Sequence, residues 1–394
     1  MKKKLLFIYP SMIVGGSTTA LLSLLNNLDP KKYEIDLQLF RNKGPLLEMI
    51  PKHVNLLAEA EIYKGAKGRL IKILMFLFRG HVVRYLIKKW EKGNPGSALV
   101  EFQTKELSRK NPKEYDYAIG FLEGWSDWYL AFDTVAKTKY AWLHSTYANI
   151  TNEPTSELPW MERVDKIVFV TEACRKAFDV TLPQMAKKSF VIENITDSSI
   201  IRERSMQIDK TDGAYKLFSE SDKFKIVTVC RLTISVKGLD RIVAAARELK
   251  KQGYDFLWYI IGDGEDRETL EKSIKEAEVG DCVVPIGMRM NPYPYVAMAD
   301  IMCMPSRYEG KPIVVTESMI LGTPPIVTRY LSAEEQIQNE KEGIVVENCD
   351  NAILEPLRRC ISDRQLPDML RSTLRSCEYG NTDRVKRIEE ILFF

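Results

Sequence analysis

Two glutamates flank a proline in Met304-Pro-Ser306-Arg-Tyr308-Glu309-Gly310-Lys311-Pro312-Ile313-Val-Val-Thr-Glu317-Ser-Met-Ile-Leu-Gly322-Thr-Pro. Proline suits the first turn of a helix, so Pro312 predicts a helix with Glu309 in the loop before it and Glu317 in its second turn. One carboxylate is then set to accept hydrogen bonds from sugar hydroxyls at the helix mouth, and the other from a ribose. Amides after Gly310 point at the same ligand, and the helix dipole favours phosphates there.

A second cluster, Val229-Cys230-Arg231-Leu232-Thr233-Ile-Ser-Val-Lys237-Gly238, carries two cations close together after an apolar run. Arginine forks onto phosphate oxygens and lysine supplies a point charge, which suits a departing nucleoside diphosphate. A surface ion-pair loop is the competing reading. A third cluster, Gly15-Gly16-Ser17, follows the run ending at Tyr9. Bare amides at a helix start, with Ser17 as the expected cap, form an anion site. A tight turn without a ligand explains these residues as well, because they are neither the GxGxxG fingerprint nor a P-loop.

Positioning these groups requires strands that end beside one another. Short apolar runs alternating with helix-period segments predict parallel sheets with crossover helices. The runs are 5–9, 34–40, 117–121, 139–143, 166–170 and 190–192, then 225–229, 256–261, 283–286, 301–304, 325–327 and 343–346. Residues 197–222 carry no strand signal and read as helix plus linker. The expected organisation is 1–199 as one Rossmann-like domain, 200–378 as a second, and 379–394 as a terminal helix packing back on the first. Val385, Ile388, Ile391 and Leu392 form that helix's apolar side. A chain of 394 residues also exceeds what one core usually serves.

Composition excludes several classes. With 45% hydrophobic and 28% charged residues the chain is neither disordered nor fibrous. No run approaches a membrane span, and the short apolar start broken by Pro10 does not read as a signal peptide. Seven scattered cysteines lack metal-ligand spacing and suit reduced thiols in a cytoplasm. The net charge of +3 is uneven: residues 1–200 hold 29 basic and 22 acidic groups, the remainder 28 and 32.

Taken in order, these stretches resemble a family 4 retaining glycosyltransferase of the GT-B superfamily. Further family-like segments are Tyr115–Gly124, Ala141-Trp-Leu-His144-Ser145, Val170–Cys174, Ile192-Glu-Asn194, Ile261-Gly-Asp-Gly264 and Asn291-Pro-Tyr-Pro-Tyr295. The resemblance implies an α/β fold of two Rossmann-like domains facing a central cleft, and bacterial capsule, exopolysaccharide or wall-polymer synthesis. It assigns Arg231 and Lys237 to the donor diphosphate, Glu309 to the transferred sugar and Glu317 to the ribose. Gly310, Lys311, Pro312 and Ile313 line the sugar and phosphate site, with Gly15 and Gly16 at the diphosphate, Gly287 and Arg289 at the base, and His144 near the acceptor. The implied reaction moves a hexosyl-type sugar from a UDP-sugar, or another nucleotide sugar, to a glycan or lipid-linked acceptor. No cofactor or metal is expected. The same architecture serves sugar-nucleotide epimerases and phosphorylases, and the non-enzymatic alternative is a sugar-nucleotide-binding subunit without turnover, against which Arg231, Lys237, Glu309 and Glu317 argue.

Residues 64–92 hold ten Lys, Arg or His and one acid, with Ile71, Leu74, Met75, Phe78, Val82, Leu86 and Trp90 at helical spacing. Such a stretch lies on an anionic bilayer or packs its stripe on the first domain; the membrane reading would put the protein on the inner face of the cell membrane. No nucleic-acid recognition motif accompanies the charge, so nucleic acid is not an expected partner.

Overall fold

The computed structural model describes residues 2–63, 65–78, 100, 102, 104–150 and 154–393. Two compact units emerge, Met1–Asn194 with Arg384–Phe394, and Ile195–Asp383. Against the expected divisions at 199/200 and 378/379, both crossings lie within five residues.

In the first unit the strands are β1 (Lys3–Tyr9), β2 (Tyr33–Leu39), β3 (Val54–Leu56), β4 (Asn111–Gly120), β5 (Thr134–Leu143), β6 (Lys166–Phe169) and β7 (Ser189–Val191). They pair in parallel in the order β3-β2-β1-β4-β5-β6-β7. Residues Leu5 to Tyr9 are all buried, as a strand covered on both faces requires. Sequence analysis missed β3, a three-residue edge strand with only Val54 buried.

The second unit holds β8 (Phe224–Val229), β9 (Phe256–Ile261), β10 (Val283–Gly287), β11 (Ile301–Met304), β12 (Pro325–Thr328) and β13 (Ile344–Val346). Their parallel order is β10-β9-β8-β11-β12-β13. Successive side chains alternate between faces. Ile226, Trp258, Ile301 and Ile326 pack on one side with helix Leu239–Lys251. Val227, Tyr259, Met302 and Val327 pack on the other with helices Tyr293–Met298 and Ile313–Ile320. Trp258 donates to the Thr228 hydroxyl at 3.0 Å, which donates to the Cys303 carbonyl at 2.6 Å. This buried relay links β9, β8 and β11 near the strand ends that carry the candidate residues.

Residues 197–222 contain helices Ser198–Ser205 and Gly213–Glu220 and belong to the second unit. Helix Val385–Phe393 returns to the first unit. Its Leu392 carbonyl accepts from the Tyr140 hydroxyl at 2.6 Å, Glu389 pairs with Lys32 at 2.7 Å, and Phe393 packs on Tyr33 and Tyr117. Val385, Ile388 and Leu392 are buried as expected; Ile391 is exposed, because it lies on the flank of the buried stripe.

Helix Gly65–Phe78 differs from expectation in its exposed side. Of the expected positions Ile71 and Leu74 are exposed and Met75 is half-buried, and Leu70, Ile73 and Leu77 are exposed beside them. The expected positions Val82, Leu86 and Trp90 lie outside the described residues.

Candidate functional site

In an open parallel sheet, ligands bind beyond the carboxyl ends of the strands where strand order reverses. For the second unit that point lies between β8 and β11. The Arg231–Lys237 loop leaves β8, and the Glu309–Gly310 loop leaves β11.

Geometry joins the two loops. Lys237 Nζ lies 2.6 Å from Glu309 Oε1, with side chains 22% and 11% exposed. Arg307 donates its amide to the Val236 carbonyl at 2.8 Å, and its guanidinium spans Asp240 at 2.7 and 2.8 Å. Gly238 adopts φ +64, and a Cβ there would lie 2.1 Å from the Pro305 carbonyl oxygen. Only glycine fits this close approach.

From the other side, Leu232 donates to the Asp263 carbonyl at 3.0 Å, and the Ile234 amide donates to Asp266 at 2.7 Å. The Gly262-Asp-Gly264 turn, quoted from the sequence without a role, therefore supports the cationic loop. Arg231 is exposed, and among the described residues its guanidinium has no ion pair or hydrogen bond. A cation held by its backbone and left unpaired is available to an anionic ligand.

Pro312 is the residue before helix Ile313–Ile320, one position ahead of the expected first turn. The loop is fixed by the Ser332 hydroxyl donating to the Gly310 carbonyl and by Gln336 donating to the Pro312 carbonyl at 3.0 Å. Lys311 is half-buried and Ile313 buried. Glu317 is in the second turn, as expected. It is buried, accepts from the Tyr293 hydroxyl at 2.7 Å, and lies in a site where burial pushes its carboxyl up while Tyr293 and Arg204 oppose the shift. Arg204 stacks 5.1 Å over the Tyr293 ring. Neither partner was assigned from the sequence, although Tyr293 stands in the quoted Asn-Pro-Tyr-Pro-Tyr stretch.

Gly287 ends β10 and Arg289 follows it, two strands from the reversal point. Gly287 has φ +77, and Arg289 donates to the Ile286 carbonyl at 2.5 Å and to both Asp212 oxygens at 2.7 and 3.2 Å. Asp212 also starts helix Gly213–Glu220 and accepts from Tyr295 at 2.6 Å. Aspartate before a helix is a start signal that would have found it.

The Arg289 hydrogen bonds, against burial and helped by Tyr295, hold the Asp212 carboxyl at about 2 rather than 3.8. A lowered carboxyl stabilises the fold fully above its unfolded value, and that contribution disappears as pH falls from 3.8 to about 2. The difference is about 2 kcal/mol. Acid unfolding curves of the wild type and Asp212→Asn should converge by that amount across this window; parallel curves would remove the pair from the stability account.

In the first unit, strand order reverses between β1 and β4. Gly15 and Gly16 follow β1, and helix Gly16–Asn27 begins there. Gly15 is extended, and a Cβ on it would meet nothing within 4 Å. Ser17 lies inside the helix instead of capping it; its hydroxyl is 2.7 Å from that of Tyr9, which also reaches Thr18. His144 follows β5. Its Nε2 is 3.1 Å from Asn194 Oδ1, and its amide donates to Glu123 at 2.9 Å. Burial lowers the imidazole's pKa, with Glu123 and Asn194 opposing.

Comparison with known proteins gives these features a context. Residues 210–376 match the family described as glycosyl transferases group 1. The amylovoran biosynthesis glycosyltransferase AmsK of Erwinia amylovora is 32% identical over 127 residues, 30% of this chain and 31% of that protein. The putative colanic acid biosynthesis glycosyltransferase WcaL of Escherichia coli K12 is 32% identical over 143 residues, 34% of this chain and 35% of that protein. The chain thus spans about a third of the length of these two relatives. In fold, Anabaena HepE in complex with UDP-glucose matches with TM-score 0.72 at 15% identity, over 99% of each chain. TarM of S. aureus, in a complex containing UDP, matches with TM-score 0.68 at 13% identity over the whole of both chains. Residues 210–376 thus resemble glycosyl transferases group 1, and the chain shares its fold with HepE and TarM.

Proposed function

We propose that the protein is a retaining glycosyltransferase that moves a hexosyl-type sugar from a UDP-sugar to a glycan or lipid-linked saccharide in bacterial surface polysaccharide synthesis, in the cytoplasm and without a metal. The observation that carries this reading is the Lys237–Glu309 pair at the reversal point between β8 and β11, with Arg231, unpaired among the described residues, leaving the same strand. UDP in the HepE and TarM structures supports the donor class, and the polysaccharide names of AmsK and WcaL support the product class.

In this reaction the bond from the anomeric carbon to the diphosphate oxygen breaks as the acceptor oxygen bonds on the same face. The acceptor's proton passes to the departing phosphate oxygen. Charge builds on that phosphate, and Arg231, Lys237 and the amides from Gly310 to Ile313 answer it. Glu309 takes sugar hydroxyls and Glu317 the ribose, with Tyr293 fixing the Glu317 carboxyl. Gly287 and Arg289 take the base. On the first unit, Gly15 and Gly16 are assigned the diphosphate and His144 the acceptor.

The test is a panel of UDP- and GDP-sugars, read by thermal unfolding and by release of nucleoside diphosphate, with EDTA present. A ligand at a hundred times its Kd stabilises by about 2.7 kcal/mol, which is about 5–10 °C for a unit of this size. At least one UDP-sugar should give that shift and turn over in EDTA. A shift without turnover under any acceptor would instead fit a binding subunit, and no shift at all would sink the donor assignment.

A further inference from the structure

Helix Gly65–Phe78 has a seated side and an open side. Gly68 lies so close to the chain at Tyr63 that a Cβ would fall 2.6 Å from that residue's carbonyl carbon. Lys72, on the same side, pairs with Glu61, whose carboxylate also takes Arg41 at 2.6 and 2.7 Å. These contacts fasten the underside of the helix to the first unit.

On the opposite side Leu70, Ile73, Leu74 and Leu77 are 59, 56, 42 and 53% exposed. Their spacing of i, i+3, i+4, i+7 makes one continuous stripe along the helix. Lys67 and Arg69 flank the stripe on its two sides, both exposed and neither paired among the described residues. No acid occurs in the helix.

We infer that this face docks on an anionic lipid bilayer, lying in the interface with the leucine and isoleucine side chains among the acyl chains and Lys67 and Arg69 at the headgroups. Charge selects this occupant. A second copy on a symmetric axis would bring the same flanking cations against each other, whereas an anionic headgroup layer meets both of them. Among the described residues no helix is long and apolar enough to cross a membrane. The placement goes beyond the donor chemistry and is independent of it.

Flotation of the full chain, without nucleotide sugar, tests the inference with phosphatidylcholine vesicles that contain or lack phosphatidylglycerol. The wild type should float with the phosphatidylglycerol vesicles and be released as salt rises. The triple variant Leu70→Ser, Ile73→Ser, Leu77→Ser should partition at least about tenfold less, and Lys67→Glu with Arg69→Glu should lose the preference for anionic lipid. Because every substituted side chain is exposed, unfolding midpoints should match the wild type, which separates lost docking from lost fold. Absence of flotation, equal capture by both vesicle types, or unchanged capture of the triple variant would overturn the inference. So would a wild-type dimer in sedimentation that the triple variant abolishes while vesicles capture neither.

Discussion

Lys237→Ala should lower kcat/KM for nucleoside diphosphate release by about a hundredfold to a thousandfold, the usual cost of deleting one preorganised group from a developing oxyanion. The ammonium does two things at once. It lies 2.6 Å from Glu309, balancing a carboxylate that is only 11% exposed. When a diphosphate departs, the same charge answers the new anion. Removing it leaves Glu309 without its ammonium in a half-buried loop, for about 1–3 kcal/mol of stability.

The two roles separate in a second variant. Adding Glu309→Gln to Lys237→Ala removes the carboxylate charge that the ammonium balanced, so the unfolding midpoint should rise back toward the wild type while activity stays low. If stability and activity recover together, Lys237 acts only as a structural counter-ion. If Lys237→Ala alone keeps kcat/KM within about threefold, the phosphate assignment is wrong. Because Glu309 is itself assigned to the sugar, activity in the double variant is read against Glu309→Gln alone, and a further loss below that single variant is the signature of a cation used on the ligand.

The contrast between what sequence revealed and what it hid follows from the range of the interactions. Parallel strands covered on both faces are continuous apolar runs, so β8, β9 and β11 were legible to within a residue. Strand β3 was not, because Val54-Asn-Leu56 at an edge buries one side chain. Motifs local in the chain, such as the Glu309–Glu317 segment, carried their helix and its start with them. Partnerships between distant segments did not show. Glu317 with Tyr293, Arg289 with Asp212, and Ile234 with Asp266 each depend on strand order, which one sequence does not print. The exposed stripe of helix Gly65–Phe78 was legible only in part for a related reason. Periodicity found an apolar helix, but which arc faces the protein is set by Gly68 against Tyr63 and Lys72 against Glu61.

Gly262→Ala should lower stability by more than about 4 kcal/mol, a size reserved for steric or backbone conflict. Two conflicts coincide at this position. Its φ is +145, a region essentially closed to side chains, and the added Cβ would lie 1.9 Å from the Cys230 carbonyl oxygen. Neither atom can swing aside, since both belong to backbone that is already committed. Gly262 donates to the Gly287 carbonyl at 3.0 Å, and Cys230 donates to Ile261 at 3.0 Å. Relief therefore means moving the Arg231 loop away from β9. Gly15→Ala supplies the control, because an extended glycine whose Cβ would meet nothing within 4 Å should tolerate the methyl within about 0.5 kcal/mol. If Gly15→Ala keeps its stability yet binds donor less well, the open space there belongs to the ligand. If Gly262→Ala unfolds within a degree or two of the wild type, the two strand ends are not locked together and the cationic loop is not preorganised.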